Sequence, residues 1–365
     1  MIKDHSQQKQ ADKHKSKFGK MIFNDLRQGN FKRTLYQDLK DIYGFYLDAD
    51  TRARLSSMGR FRRWLHVVFW LLKSLFLKLT PVRRVLVLVG LILTIREVND
   101  QLGDLNIGLF VLLFVLALEL KDKLLAREEL EAGRKVQFAL MPDRNPEVVG
   151  WDVWLFSRPA NEVGGDLIDY IEINEKRLGV ALGDVAGKGL GAALFMARLQ
   201  AILSALVRTT SSLPELGAHL TSTFCRDCLP NFFASLVYLE LTPESGLVRV
   251  LNAGHFPPIA LQGDTLEEMP RGGPALGILQ EPIYTEQCIE LKPGDLMIVY
   301  SDGVTEARNV QGEFFGEQRF FKLLPKFQHF SCEEIGNCLL AEVDRFIGDA
   351  QPSDDLSLVL LKRMG

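Results

Sequence analysis

Four acidic clusters, each cushioned by Gly or Ser, carry the chemistry legible in this chain: Gly164-Gly165-Asp166, Gly183-Asp184-Val185-Ala186-Gly187-Lys188-Gly189, Ser301-Asp302-Gly303 and Ser353-Asp354-Asp355. Carboxylates that converge repel one another unless a cation sits among them. Ligand sets made of oxygen alone select hard ions such as Mg²⁺ or Mn²⁺. The clusters therefore read as parts of one metal site.

Elements that end in these clusters must do the positioning. In RLGVALGD, Leu178, Val180 and Leu182 alternate as in a half-buried strand that delivers Asp184 at its end. The apolar run Leu296 to Tyr300 delivers Ser301-Asp302-Gly303, and Asp354-Asp355 opens the terminal run Leu356 to Leu361. Glycines beside the carboxylates let backbone approach closely. Any single Asp-Gly pair is also an ordinary turn signal; four acidic clusters at apolar strand ends favour metal. Further strands are expected over 232–241, 246–251 and 284–291, and helices over 189–209, 316–327 and 332–347.

The residues carry a resemblance as well as a pattern. Pro159-Ala160-Asn161-Glu162-Val163-Gly164-Gly165-Asp166, then the Asp184 loop running into Ala192-Ala193-Leu194-Phe195-Met196-Ala197, resembles the SpoIIE/RsbU-like branch of the metal-dependent (PPM, type 2C) serine/threonine protein phosphatases. Asn252-Ala253-Gly254-His255, Gly272-Gly273-Pro274-Ala275-Leu276-Gly277, Leu291-Lys292-Pro293-Gly294-Asp295, Ser301 to Ala307 and Asp354-Asp355-Leu356-Ser357 follow in that family's order, over roughly residues 136–362. The resemblance implies an α+β fold, an α-β-β-α sandwich of two antiparallel sheets flanked by helices, binding two Mn²⁺ or Mg²⁺ ions. Carried over residue by residue, Asp184 would bridge the ions with help from the Val185 carbonyl. Asp302 and Asp354 would hold the ion on one side, and Asp166 would act near the other through bound water. The implied reaction is phosphomonoester hydrolysis by metal-activated water. The implied substrate is a phosphoserine or phosphothreonine on an anti-anti-sigma-like regulator. None of Cys225, Cys228, Cys288, Cys332 or Cys338 has an Arg six positions later, as a cysteine phosphatase loop requires. Arg158 lies near the first cluster but out of register with the phosphate-binding Arg of eukaryotic relatives.

Charge and hydropathy divide the chain further. Its net charge of −3 hides an asymmetry: residues 1–63 hold 15 Lys or Arg against 7 Asp, net +8, leaving −11 for the rest. That basic N-terminal arm suits an anionic membrane surface better than nucleic acid, because apolar segments follow it. Trp64 to Leu79 reads as an interfacial helix, and Val85 to Ile95 with Leu105 to Leu118 as membrane helices over about 82–95 and 105–120. Arg83 and Arg84 before the first run, and Lys121 and Lys123 after the second, give a positive-inside pattern. The expectation is a two-pass anchor spanning 64–118 in the inner (cytoplasmic) membrane, with lipids as partners and the catalytic part in the cytoplasm. Met1 to Lys20 lacks the apolar centre of a cleavable signal peptide.

A helical connector is expected over 119–141, leading into a phosphatase domain over 142–365. Its ragged heptad fits either a homodimeric coiled coil or a single helix packed on the catalytic part. Cys225 and Cys228 form a solitary CxxC, read as a helix-end coincidence. His255 reads as a loop-shaping histidine, and Lys188 as structural or substrate-facing. Two other function classes fit parts of the pattern: a two-metal nucleotidyl cyclase and an inactive binding module of the same fold. The cyclase has no use for Asp354-Asp355 or the Gly-Lys-Gly loop, and the intact acidic clusters argue against the inactive module.

Overall fold

A computed structural model describes residues 60–99, 107–174, 176–225, 232–243 and 245–365. Most of the basic arm and Cys228 lie outside the described residues. The chain divides into two units, 1–122 and 123–365.

In the first unit, α1 (Arg60–Lys78) and α2 (Pro81–Asn99) precede α3 (Ile107–Leu140), and the division between units falls within α3. The expected second apolar segment and the connector thus belong to one helix. The expected membrane anchor is corrected here: no described helix is long and apolar enough to cross a membrane. The runs Val85 to Ile95 and Ile107 to Leu118 are bounded by charge well short of the roughly 20 apolar residues a span needs. Arg83, one of the cations of the expected positive-inside pattern, instead lies 2.6 Å from both Glu119 and Asp122. The two helices meet through small residues: a Cβ on Gly90 would stand 3.1 Å from Leu112, and one on Gly108 would collide with Thr94. The inner-membrane location falls with the anchor.

The second unit is a layered sandwich. β1 (Trp151–Arg158), β10 (Leu356–Arg363), β9 (Leu296–Tyr300), β6 (Ile259–Gln262) and β7 (Thr265–Glu268) form one antiparallel sheet in that order. β2 (Asp166–Asn174), β3 (Arg177–Val185), β4 (Ala234–Leu241), β5 (Leu247–Ala253) and β8 (Glu286–Glu290) form the other. Helices α4 (Leu190–Leu206) and α5 (Leu213–Cys225) cover the second sheet; after the short α6 (Asp302–Thr305), α7 (Glu317–Phe327) and α8 (Cys332–Ile347) cover the first.

Strand periodicity sorts side chains between these layers. Leu178, Val180 and Leu182 of β3 enter the core between the sheets with Met297, Val299, Val359 and Leu361. Their neighbours Ala181 and Val185 face α4 and α5, with Met196, Leu203 and Leu216. In the same way Ile298, Tyr300, Leu358 and Leu360 face α7 and α8. Strands buried on both faces read as near-continuous apolar runs, as β9 does. Burial of this kind stabilises the sandwich by roughly 25 cal/mol per Å² of apolar surface, and the four acidic clusters sit at the strand ends, outside these apolar layers. Phe315 and Phe320 join the helix-side core, whereas Phe314 is exposed beneath Arg308. A capping box of Ser331 and Glu334 starts α8.

Candidate metal centre

β2 and β3 bring the first two clusters face to face. Asp166, the first residue of β2, is the register partner of Asp184 near the end of β3. Gly165 immediately before it is tightly enclosed: a Cβ there would lie 3.0 Å from the Val185 carbonyl oxygen and 3.3 Å from Asp184 Oδ1. A side chain there would push the two strand ends apart by a few tenths of an ångström, so glycine suits this close approach.

The other sheet supplies Asp302. β9 ends at Tyr300, and Asp302 opens the single turn α6. The neighbouring strand end is fixed by Ser301: its N–H donates to Ser357 O (3.0 Å), its hydroxyl donates to Asp355 O (3.1 Å) and accepts from Ser357 N–H (2.9 Å).

Of the paired aspartates before β10, one faces outward and one inward. Asp354 forms an ion pair with Lys188 Nζ at 2.8 Å, and that ammonium also donates to Ser353 O. Asp355 is buried and accepts backbone N–H groups from Ala160 (2.8 Å), Gly165 (2.6 Å) and Asp166 (3.4 Å). It ties the segment before β2 to the start of β10. Gln137, near the end of α3, holds the same segment by two hydrogen bonds with the Gly164 backbone, at 2.7 and 3.0 Å.

Electrostatics couples the carboxylates. Burial, with the charges of Asp302, Asp354 and Asp355, pushes Asp184 up to about 6. Asp302 is likewise raised to about 6, by burial and then by Asp354 and Glu306. Asp166 is 3% exposed, and burial followed by the Asp184 charge lifts it well above the usual carboxylate range. Its Oδ2 is buried with no hydrogen-bond partner, an arrangement that costs free energy unless something else satisfies it.

A cavity of about 390 Å³ opens over this region, lined among others by Asp184, Asp302, Ser235, His255 and Arg271. Asp166 is buried and is not among its lining residues. Asp354 lines a neighbouring small cavity with Arg158. As they stand, no three His, Cys, Asp or Glu side chains among the described residues form a ready-made metal-ligand group; Asp354 is engaged by Lys188. The donor set nevertheless fits a hard dication in chemistry. It is all oxygen, the charges of Asp302 and Asp354 raise Asp184 and that of Asp354 raises Asp302, and Asp166 Oδ2 is an orphaned buried acceptor.

Three residues weighed from sequence now have places. Arg158 makes a two-pronged ion pair with Asp344 (2.6 and 3.1 Å). Lys188 pairs with Asp354. His255 accepts or donates through both ring nitrogens, at 2.7 Å from Ser235 Oγ and 3.1 Å from Tyr300 O. Burial lowers its pKa to about 4, so the ring is neutral. Ser235 and Arg271 were not singled out from sequence. Arg271 directly precedes Gly272-Gly273, the one local signal that could have drawn attention to it.

Two antiparallel sheets with helices outside, with the acidic residues Asp184 and Asp302 from the two sheets on one cavity, match the PP2C-type phosphatase fold. The solved PP2C domain of SiaA from Pseudomonas aeruginosa superposes with a TM-score of 0.59 at 20% identity, covering 67% of this chain and 99% of that domain. The RsbU and RsbW domains of a Mycobacterium tuberculosis protein give 0.51 at 23% identity, covering 60% and 61%. The family described as Stage II sporulation protein E (SpoIIE) matches residues 174–364, and the chain belongs to that family. It is 28% identical over 282 residues to Protein IcfG of Synechocystis sp., covering 68% of this chain and 43% of IcfG. It is 26% identical over 239 residues to phosphoserine phosphatase RsbU of Bacillus subtilis, covering 65% of this chain and 70% of RsbU. The chain thus spans less than half the length of IcfG.

Proposed function

We propose that the chain is a Mn²⁺- or Mg²⁺-dependent serine/threonine phosphoprotein phosphatase acting in signalling. The observation that carries this reading is the arrival of Asp184 and Asp302, from opposite sheets, on one cavity, where burial and neighbouring carboxylates, Asp354 among them in both cases, raise each carboxyl group to about 6. The similarity to RsbU and RsbP, both phosphoserine phosphatases of Bacillus subtilis, supports phosphoserine as substrate. A phosphorylated regulator of the anti-anti-sigma type is the protein substrate this reading favours.

Two bound dications would supply an acidified water and neutralise phosphoryl charge. Asp184 would help hold both, with the Val185 carbonyl beside Gly165 as a further oxygen. Asp302 and Asp354 would hold one ion once Asp354 leaves Lys188. Asp166, buried opposite Asp184 in the β2–β3 ladder, would serve through water. No cysteine lines the cavity, and the Ser235 hydroxyl is engaged by His255. No side-chain nucleophile is needed. Arg271 lines the same cavity without a hydrogen bond to its guanidinium among the described residues, and is placed to meet the phosphate or its flanking acidic groups.

The test is phosphate release by the full chain from phosphoserine and phosphothreonine peptides and from ATP, with and without Mn²⁺. Mn²⁺-dependent release from peptides is expected. Cyclisation of the nucleotide, or release unaffected by chelator, would overturn the reading.

A further inference from the structure

Beside the cavity, one side chain links the two sheets at the point where they present their carboxylates. A backbone carbonyl only accepts, so His255 Nε2 must carry the ring proton and donate it to Tyr300 O at 3.1 Å. In the neutral ring, Nδ1 is then left to accept the Ser235 hydroxyl at 2.7 Å. Ser235 is the register partner of Asp184 in the β3–β4 ladder. Tyr300 ends β9, two residues before Asp302. The imidazole therefore spans from the strand neighbouring Asp184 to the strand that delivers Asp302.

The ring is itself held. The His255 N–H donates to Asn252 Oδ1 at 2.9 Å, and Asn252 Nδ2 donates back to His255 O at 3.2 Å, with Asn252 buried at 1% exposure. Gly254 before it sits at a φ of 72°, where a Cβ would also collide with the Ala275 backbone. With both ring nitrogens committed to the protein, His255 has none left to ligate a metal or deliver a proton.

We propose that His255 is a positioning residue that fixes the separation of Asp184 and Asp302 across the sandwich and thereby sets the metal affinity of the site. The proposal rests on the metal-dependent reading given above. Groups that orient metal ligands without touching the metal typically change affinity 10- to 100-fold when removed, which gives the expected scale.

The experiment is Mn²⁺ titration of the full chain, following the electron paramagnetic resonance signal of free Mn²⁺, with metal-free thermal unfolding of each variant as the folding control. His255→Ala is expected to weaken Mn²⁺ binding about 10- to 100-fold. His255→Gln, whose amide N–H can reach Tyr300 O, is expected to recover most of that loss; His255→Asn, which reaches only Ser235, is expected to recover less. Ser235→Ala is expected to weaken binding by less than His255→Ala. If His255→Ala does not fold, the Gln, Asn and Ser235→Ala variants carry the comparison. A folded His255→Ala with wild-type Mn²⁺ affinity, or a Gln variant no better than Asn, would overturn the proposal. So would complete loss of turnover in Ser235→Ala at unchanged Mn²⁺ affinity, which would mark the Ser235–His255 pair as chemical. Wild-type chain that takes up no Mn²⁺ would overturn the metal reading itself.

Discussion

Asp166 and Asp184 stand opposite each other across the β2–β3 ladder, yet only Asp184 reaches the cavity. The pairing separates their expected roles. Asp184→Asn removes a charge that would be shared by both ions, and Mn²⁺-dependent phosphate release should fall by at least about 100-fold; Asp302→Asn should behave likewise. Asp166→Asn is nearly isosteric and changes a carboxylate that does not line the cavity, so its loss of activity should be smaller and partly recovered by raising Mn²⁺. Metal-dependence curves for the three variants check the order. Near-wild-type turnover in Asp184→Asn at saturating Mn²⁺ would remove the site assignment.

The adjacent residues Asp354 and Asp355 should fail in opposite ways. Asp355 is buried under three backbone N–H donors, and Asp355→Ala leaves those donors unsatisfied. The cost is about 3 kcal/mol of stability, since each buried unpaired group costs about 1–3 kcal/mol. Urea unfolding should register it. Asp354 is half-exposed, pairs through Oδ2 with the exposed Lys188 and accepts the Asp355 N–H through Oδ1 at 3.1 Å, an acceptor that Asn keeps, so Asp354→Asn should leave the unfolding curve in place while metal-dependent turnover is lost. Equal midpoints for the two variants would contradict this division.

Much of the sandwich is legible in the sequence, because strands buried on both faces announce themselves as apolar runs bounded by aspartates. Leu178 to Asp184 and Leu296 to Tyr300 run into an aspartate flanked by glycine, and Leu356 to Leu361 follows Asp354-Asp355. β6 and β7 escape such a reading: each is four residues long, and three of the four residues of β7 are exposed. α5 is marked by no N-terminal charge pattern beyond Glu215. The Ser235–His255–Tyr300 link joins residues 20 and 45 positions apart, a juxtaposition that no local pattern contains. The misread membrane hairpin has the same origin. Arg83 looks like a headgroup cation until its partners Glu119 and Asp122, more than 30 residues on, are seen beside it.

Gly165 offers a test of close approach that leaves every charged group in place. Its φ is not in the left-handed region, so Gly165→Ala is not strained by its backbone; the cost comes from the Cβ, 3.0 Å from Val185 O and 3.3 Å from Asp184 Oδ1. Both atoms belong to the proposed ligand set. The substitution should weaken Mn²⁺ binding about tenfold or more, on the scale of changes to groups that orient ligands. Calorimetric titration with Mn²⁺ checks it, and unchanged affinity in a folded variant would show that Val185 O takes no part.

Arg271 should govern substrate affinity more than turnover. It lines the cavity with Asp184 and Asp302, while Lys188 and Arg158 are held by Asp354 and Asp344. A phosphoserine peptide brings a dianion into a cavity whose own carboxylates repel it, and a guanidinium at the wall offsets that repulsion in bound substrate and transition state alike. Uniform binding of this sort raises KM on removal and leaves kcat nearly constant. For a charge-assisted contact at an exposed residue, Arg271→Ala should raise KM by about tenfold, with Arg271→Lys intermediate because it keeps the charge and loses the fork. Inorganic phosphate should also inhibit the Ala variant more weakly. Steady-state kinetics on one phosphopeptide at fixed saturating Mn²⁺ separates the outcomes: a fall in kcat at constant KM would place Arg271 on the transition state alone, and no change in either constant would leave the phosphate to the metal ions.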